Sequence, residues 1–177
     1  MKRFICLVAL AAGAVFADEK PAAMPPMPKP AAEMKVEQWF VGVWNCKGMM
    51  HAGPMGPEMK VADRVEFKME LGGSWMQVKG TSLAGPARGK EMFEGFAGWD
   101  GTQHQRFDFQ PAGMTHFTSK GWDGDKLVFD GEGMRMGQKM TVRHTLTRKG
   151  DNSYDGAFEV DGKLMMEESC TRAAAAK

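Results

Sequence analysis

After residue 41 the chain alternates apolar and polar side chains in one short run after another. Val65, Phe67, Met69 and Leu71 interleave with Arg64, Glu66, Lys68 and Glu70. Met140, Val142, His144 and Leu146 interleave with Thr141, Arg143, Thr145 and Thr147, and Tyr154, Gly156, Phe158 and Val160 with Asp155, Ala157 and Glu159. Phe107 and Phe109 alternate with Arg106 and Asp108, and read as the dry side of their run. Period two marks a strand with one buried and one wet face. No stretch beyond residue 41 has helical periodicity. The runs are separated by Gly72-Gly73, Asp100-Gly101, Asp123-Gly124, Gly150-Asp151-Asn152 and Asp161-Gly162, all tolerant of the positive φ that tight hairpins need. Softer breaks lie at 51–58, 84–89, 111–113 and 133–137. This predicts ten strands, near 42–50, 57–71, 74–83, 90–99, 102–110, 114–120, 126–132, 138–148, 153–160 and 163–171.

The N-terminal segment reads differently. Residues 1–17 have the pattern of a signal peptide: Lys2 and Arg3, an uncharged Ala-rich run from Phe4 to Phe16, and a small residue, Ala17, before Asp18. The run is too short to span a bilayer comfortably, which sets aside a retained anchor. Residues 18–35, rich in Pro, Ala and Met, predict an extended linker. The barrel domain is expected over 36–172, with 173–177 a disordered tail. The expected compartment is periplasmic or secreted. Cleavage would take the formal charge from +1 to −1 by removing Lys2 and Arg3, which offers no field for nucleic acid or anionic lipid. It would also leave Cys46 and Cys170, an even count that favours a disulfide in an oxidising compartment over two buried free thiols.

Ten sequentially linked strands imply a meander. Closing it removes both exposed edges and, with an even strand number, pairs the first strand antiparallel with the last. Cys46 falls in the first predicted strand and Cys170 in the last, so a bond between them would staple the seam. Val36, Trp39 and Phe40 are spaced for one helical turn that plugs a barrel end. The expected fold is therefore all-β: a roughly ten-stranded antiparallel up-and-down barrel with a short N-terminal helical turn. A two-sheet sandwich would satisfy the same alternation.

Trp39-Phe40-Val41-Gly42-Val43-Trp44 places a Gly-x-Trp at the start of the first strand, just after the helical turn. This resembles the lipocalin and calycin signature. Met55-Gly56-Pro57, Leu71-Gly72-Gly73-Ser74-Trp75, Gly98-Trp99-Asp100 and Met114-Thr115-His116 extend the resemblance across 36–172. Together they are similar to a bacterial family of uncharacterised lipocalin-like β-barrel domains, distantly similar to nitrobindin. The resemblance implies a barrel with an internal cavity and no established catalysis. Nitrobindins bind haem through a histidine, but Asn45-Cys46-Lys47 departs from their first strand and no segment matches their haem ligand. No cofactor is carried over.

Sequence motifs for catalysis are missing: there is no Gly-x-Ser-x-Gly, His-Glu-x-x-His, Cys-x-x-Cys or phosphate-binding glycine loop. Asp63 is one carboxylate on a predicted inward face, without a partner in the pattern. An enzyme is not expected. Trp44, Phe67, Trp75, Phe107, Phe109, Val142, His144 and Phe158 are expected to line a pocket for a small apolar or amphipathic molecule. Methionine is abundant, 17 residues, and alternate turns of a meander share one barrel end. That end gathers Met49, Met50, Met55, Met59, Met92, Met114, Met134, Met136 and Met165, with His51. The rim reads as an adaptable lip around a cavity mouth. Alternatively, Met49, Met50, His51, Met55 and Met59 would hold Cu(I). A third reading is a structural or interaction barrel with a filled interior.

Overall fold

The computed structural model describes residues 29–53 and 56–174. The proposed signal peptide, the linker up to residue 28, Met55 and the last three residues lie outside that range. Ala32–Met34 and Lys35–Gln38 (α1) form one short helical segment. Eleven strands follow: β1 Gly42–Met50, β2 Met59–Glu70, β3 Trp75–Ser82, β4 Glu91–Trp99, β5 His104–Gln110, β6 Gly113–Ser119, β7 Trp122–Asp123, β8 Lys126–Arg135, β9 Gln138–Gly150, β10 Ser153–Val160 and β11 Lys163–Arg172. No helix among the described residues is long and apolar enough to cross a membrane.

Each long strand pairs antiparallel with its sequence neighbour. The two-residue β7 is an offshoot of β8, and the ring runs from β6 directly to β8. β1 pairs with β11, so ten strands close into a barrel. Closure excludes the open two-sheet sandwich. Cys46 and Cys170 stand directly opposite in the β1–β11 register and form the expected disulfide, Cα–Cα 4.0 Å. The bond lies across the seam.

The helical segment plugs the end at which β1 begins, here the near end. Trp44 is fully buried and its Nε1 donates to the Phe40 carbonyl at 2.7 Å. Arg172, from the last strand, lies 4.2 Å over the Trp44 ring and donates to the backbone carbonyls of Trp39, at 2.8 Å, and Val41. Arg148 stacks on Trp39 at 4.5 Å and on Trp122 at 3.6 Å. Beneath the plug, Val65, Met76, Val78, Phe117, Leu127, Phe129 and Leu146 build the core.

Two strands present the opposite face from the one expected. In β5, Phe107 and Phe109 point out, while His104, Arg106, Asp108 and Gln110 point in. The register explains why: Asp108 lies opposite inward Gly95, and Arg106 opposite inward Ala97. Phe109 is 49% exposed, and Phe107 stacks on His116 at 4.5 Å on the outer wall. In β3 the inward set is Met76, Val78, Gly80 and Ser82, so Trp75 is also outside. The cause is the turn at 71–74: Glu70 pairs with Trp75, which puts both on the outer face. Trp75 covers Gly98, where a Cβ would come within 2.8 Å of its ring. Slipping a strand by one residue turns every side chain over, and the hairpin turn sets that parity.

Candidate functional site

The barrel axis holds a cavity of about 130 Å³. It runs from Val36, Glu37 and Phe40 of the plug to Gln110 and Met166 farther along the barrel. That is close to the size of an apolar cavity able to hold one benzene ring, about 150 Å³. Phe67, Phe93, Phe129 and Phe158 supply apolar walls. Glycines make room for the polar side chains. Gly95 carries no side chain, so the Asp108 carboxylate can lie across it; a Cβ there would be 2.4 Å from Oδ1. At Gly156 a Cβ would sit 3.1 Å from Glu168 Oε1 and 3.4 Å from His144 Nε2.

The remaining wall is polar. Arg106 donates two bonds to Asp108, Nε to Oδ1 at 2.9 Å and Nη2 to Oδ2 at 2.7 Å. Its Nη1 donates to His144 Nδ1 at 3.1 Å. The guanidinium lies 5.4 Å from the Phe117 ring and 5.8 Å from Phe129. Every guanidinium nitrogen is a donor, so His144 Nδ1 must accept and the ring proton sits on Nε2. Burial, reinforced by the Arg106 charge, holds His144 neutral and lowers its pKa to about 3. His144 Nε2 is buried and has no partner. At the plug, His104 Nδ1 donates to Glu37 Oε1 at 2.8 Å, both side chains buried. The second Glu37 oxygen, Oε2, is also buried without a partner.

Two more carboxyls face inward. Burial raises Asp63 above the ordinary aspartate range. Burial first, then repulsion from Asp63, pushes Glu168 up to about 7, against the pull of Arg106. Tyr154 lies beside them, its hydroxyl 3.8 Å from Cys46 Sγ, and burial keeps it protonated. Cys46, Glu168 and Cys170 lie close enough together to suggest a metal site, but both sulfurs are engaged in the disulfide.

Of the residues expected to line the pocket, Phe67, His144 and Phe158 do so. Trp44 and Val142 point inward but are packed in the core beside it. Trp75, Phe107 and Phe109 are on the outer wall. Alternation did not pick out Arg106, Asp108, Glu168 or Glu37, because polar residues are expected on the wet face. Asp63 was the one acid whose apolar neighbours placed it inside. The far-end methionines divide between faces. Met50, Met59 and Met166 stand in register on the inner face, whereas Met49 is on the outer face. Met114 and Met134 pair on the outside, and Met165 is buried. His51 lies 3.6 Å from Glu167.

No family model matches the chain, and no curated protein does. Among solved structures it is similar to a redesigned β-barrel, with TM-score 0.43 and 11% identity over 78% of this chain and 96% of that one. It is also similar to the crystal structure of Rv2717c from M. tuberculosis, with TM-score 0.61 and 13% identity, covering 82% of this chain and all of that one. At that identity the likeness is one of fold, and the chain is an all-β closed barrel.

Proposed function

We propose that this protein is an exported carrier that holds one small amphipathic molecule, about the size of a single ring, without transforming it. One observation carries the reading: an apolar-walled cavity of about 130 Å³ lies on the barrel axis with Asp63, Arg106, Asp108 and Glu168 among its lining. The lipocalin-like assignment is part of the reading, supported by Gly42 and the buried Trp44 beneath Arg172. Export is supported by the pattern of residues 1–17 and by a disulfide of the kind oxidising compartments maintain. Native mass spectrometry of freshly purified protein, with NMR titration of single-ring probes, tests the binding. Amide shifts confined to inward positions are expected; a folded protein whose spectrum no probe moves would overturn it.

A second reading, Cu(I) binding, is favoured by the in-register row Met59, Met50 and Met166. It uses two of the five residues singled out above and adds Met166. Titration of Cu(I) against a competing chelator tests it, and absence of tight binding removes it.

A further inference from the structure

Asp63 and Glu168 both line the axial cavity, and the Glu168 side chain lies across Gly156. Glu168 on β11 has glycine as its cross-strand neighbour on both sides, Gly48 on β1 and Gly156 on β10. Asp63, on β2, stands opposite Cys46, the next inward position along β1 from Gly48. The polar groups lining the same cavity come from every side of the barrel: Glu37 from α1, Asp63 from β2, Arg106 and Asp108 from β5, His144 from β9 and Tyr154 from β10. Four carboxyl-bearing side chains, counting Glu168, thus share the cavity with one guanidinium. That guanidinium is already engaged by Asp108, His144 and two phenylalanine rings.

We infer that the occupant is a small organic cation, a primary ammonium on a single apolar ring, whose ammonium sits between Asp63 and Glu168 and whose ring packs on the phenylalanine walls. This deepens the carrier reading and rests on it. An anionic head would meet carboxyls with no free cation to offset them, and a neutral molecule would leave the carboxyls to find protons instead. His144 cannot supply the missing charge, because its Nδ1 is turned to Arg106. In the empty barrel burial, and after it repulsion from Asp63, pushes Glu168 up to about 7, so it holds a proton on the acid side of that value. Binding the ammonium releases that proton, so amine affinity rises with pH through this range.

The test is calorimetric titration of the oxidised protein with benzylamine, benzyl alcohol and benzoate, three probes of one shape and different charge, below and above the Glu168 titration. Above it, benzylamine is expected to bind about tenfold tighter than benzyl alcohol. The advantage should shrink on the acid side, and benzoate should bind worst. Glu168→Gln, close to isosteric, and Asp63→Asn/Glu168→Gln should lose the preference for the amine over benzyl alcohol. Benzyl alcohol binding as well as benzylamine, or a preference that survives in the folded double variant, overturns the cation inference and leaves the carrier standing. Failure of all three probes to bind overturns both.

Discussion

Arg106 is held from two directions, its charge answered by Asp108 two residues on and one N–H accepted by the neutral His144 thirty-eight residues away. Asp108→Ala leaves that guanidinium buried without its counter-charge, and is expected to cost about 3–5 kcal/mol. Phe109→Ala removes a ring from the outer wall and is expected to stay within about 0.5 kcal/mol. Urea unfolding of the two variants compares them directly; a reversed order would put the phenylalanines inside. Two titrations pull stability in opposite directions. Glu168 is raised from 4.5 to about 7, so its folded form holds a proton the unfolded chain has lost, and its contribution falls away as pH rises between those values. His144 is lowered from 6.5 to about 3, so its contribution is present above the upper value and lost as pH falls to the lower. Where the windows overlap, the slopes oppose each other and the native protein is expected to show little pH dependence. Glu168→Gln should leave a stability that rises with pH, and His144→Phe one that falls. Denaturation midpoints across the acid range check both signs.

At the scale of the strand, the seam between β1 and β11 is distinctive, because it joins the two ends of the meander. The chain-entropy model assigns a bond across 124 residues about 4–5 kcal/mol. Replacing both Cys46 and Cys170 by Ser is expected to cost about that much, read from the denaturant midpoint without reductant. The strands and their turns were legible in the sequence because both are local properties, a period of two and residues tolerant of positive φ. Leu71 shows the limit: it continues the apolar alternation of β2, yet it sits in the turn at positive φ, 70% exposed. The face of β5 was not legible, because it carries apolar residues at one parity and residues able to pair at the other; in β3 the large ring of Trp75 misled, although Met76 and Val78 mark the dry face. In β5 the choice needs the contacts of Arg106 with His144 on β9 and with the rings of Phe117 and Phe129, which are invisible in any window along the chain. The cavity acids escaped for the same reason, except Asp63, whose valine neighbours gave it away.

At the scale of the molecule, the plug is attached to the barrel largely by side chains: Arg148 on two tryptophans, Arg172 on two carbonyls, and Glu37 with His104. Three residues of the plug region touch the cavity, so its release opens the near end. Arg148→Ala removes two stacking contacts, each worth about 0.5–2 kcal/mol, and should speed exchange of a bound probe about tenfold in NMR line shapes. Ring closure has another consequence. With β6 joined to β8 and β1 joined to β11, the ten-strand ring offers no unpaired margin along which a foreign peptide could extend the sheet. A protein partner would therefore have to engage this barrel by side chains rather than by adding a strand to the ring.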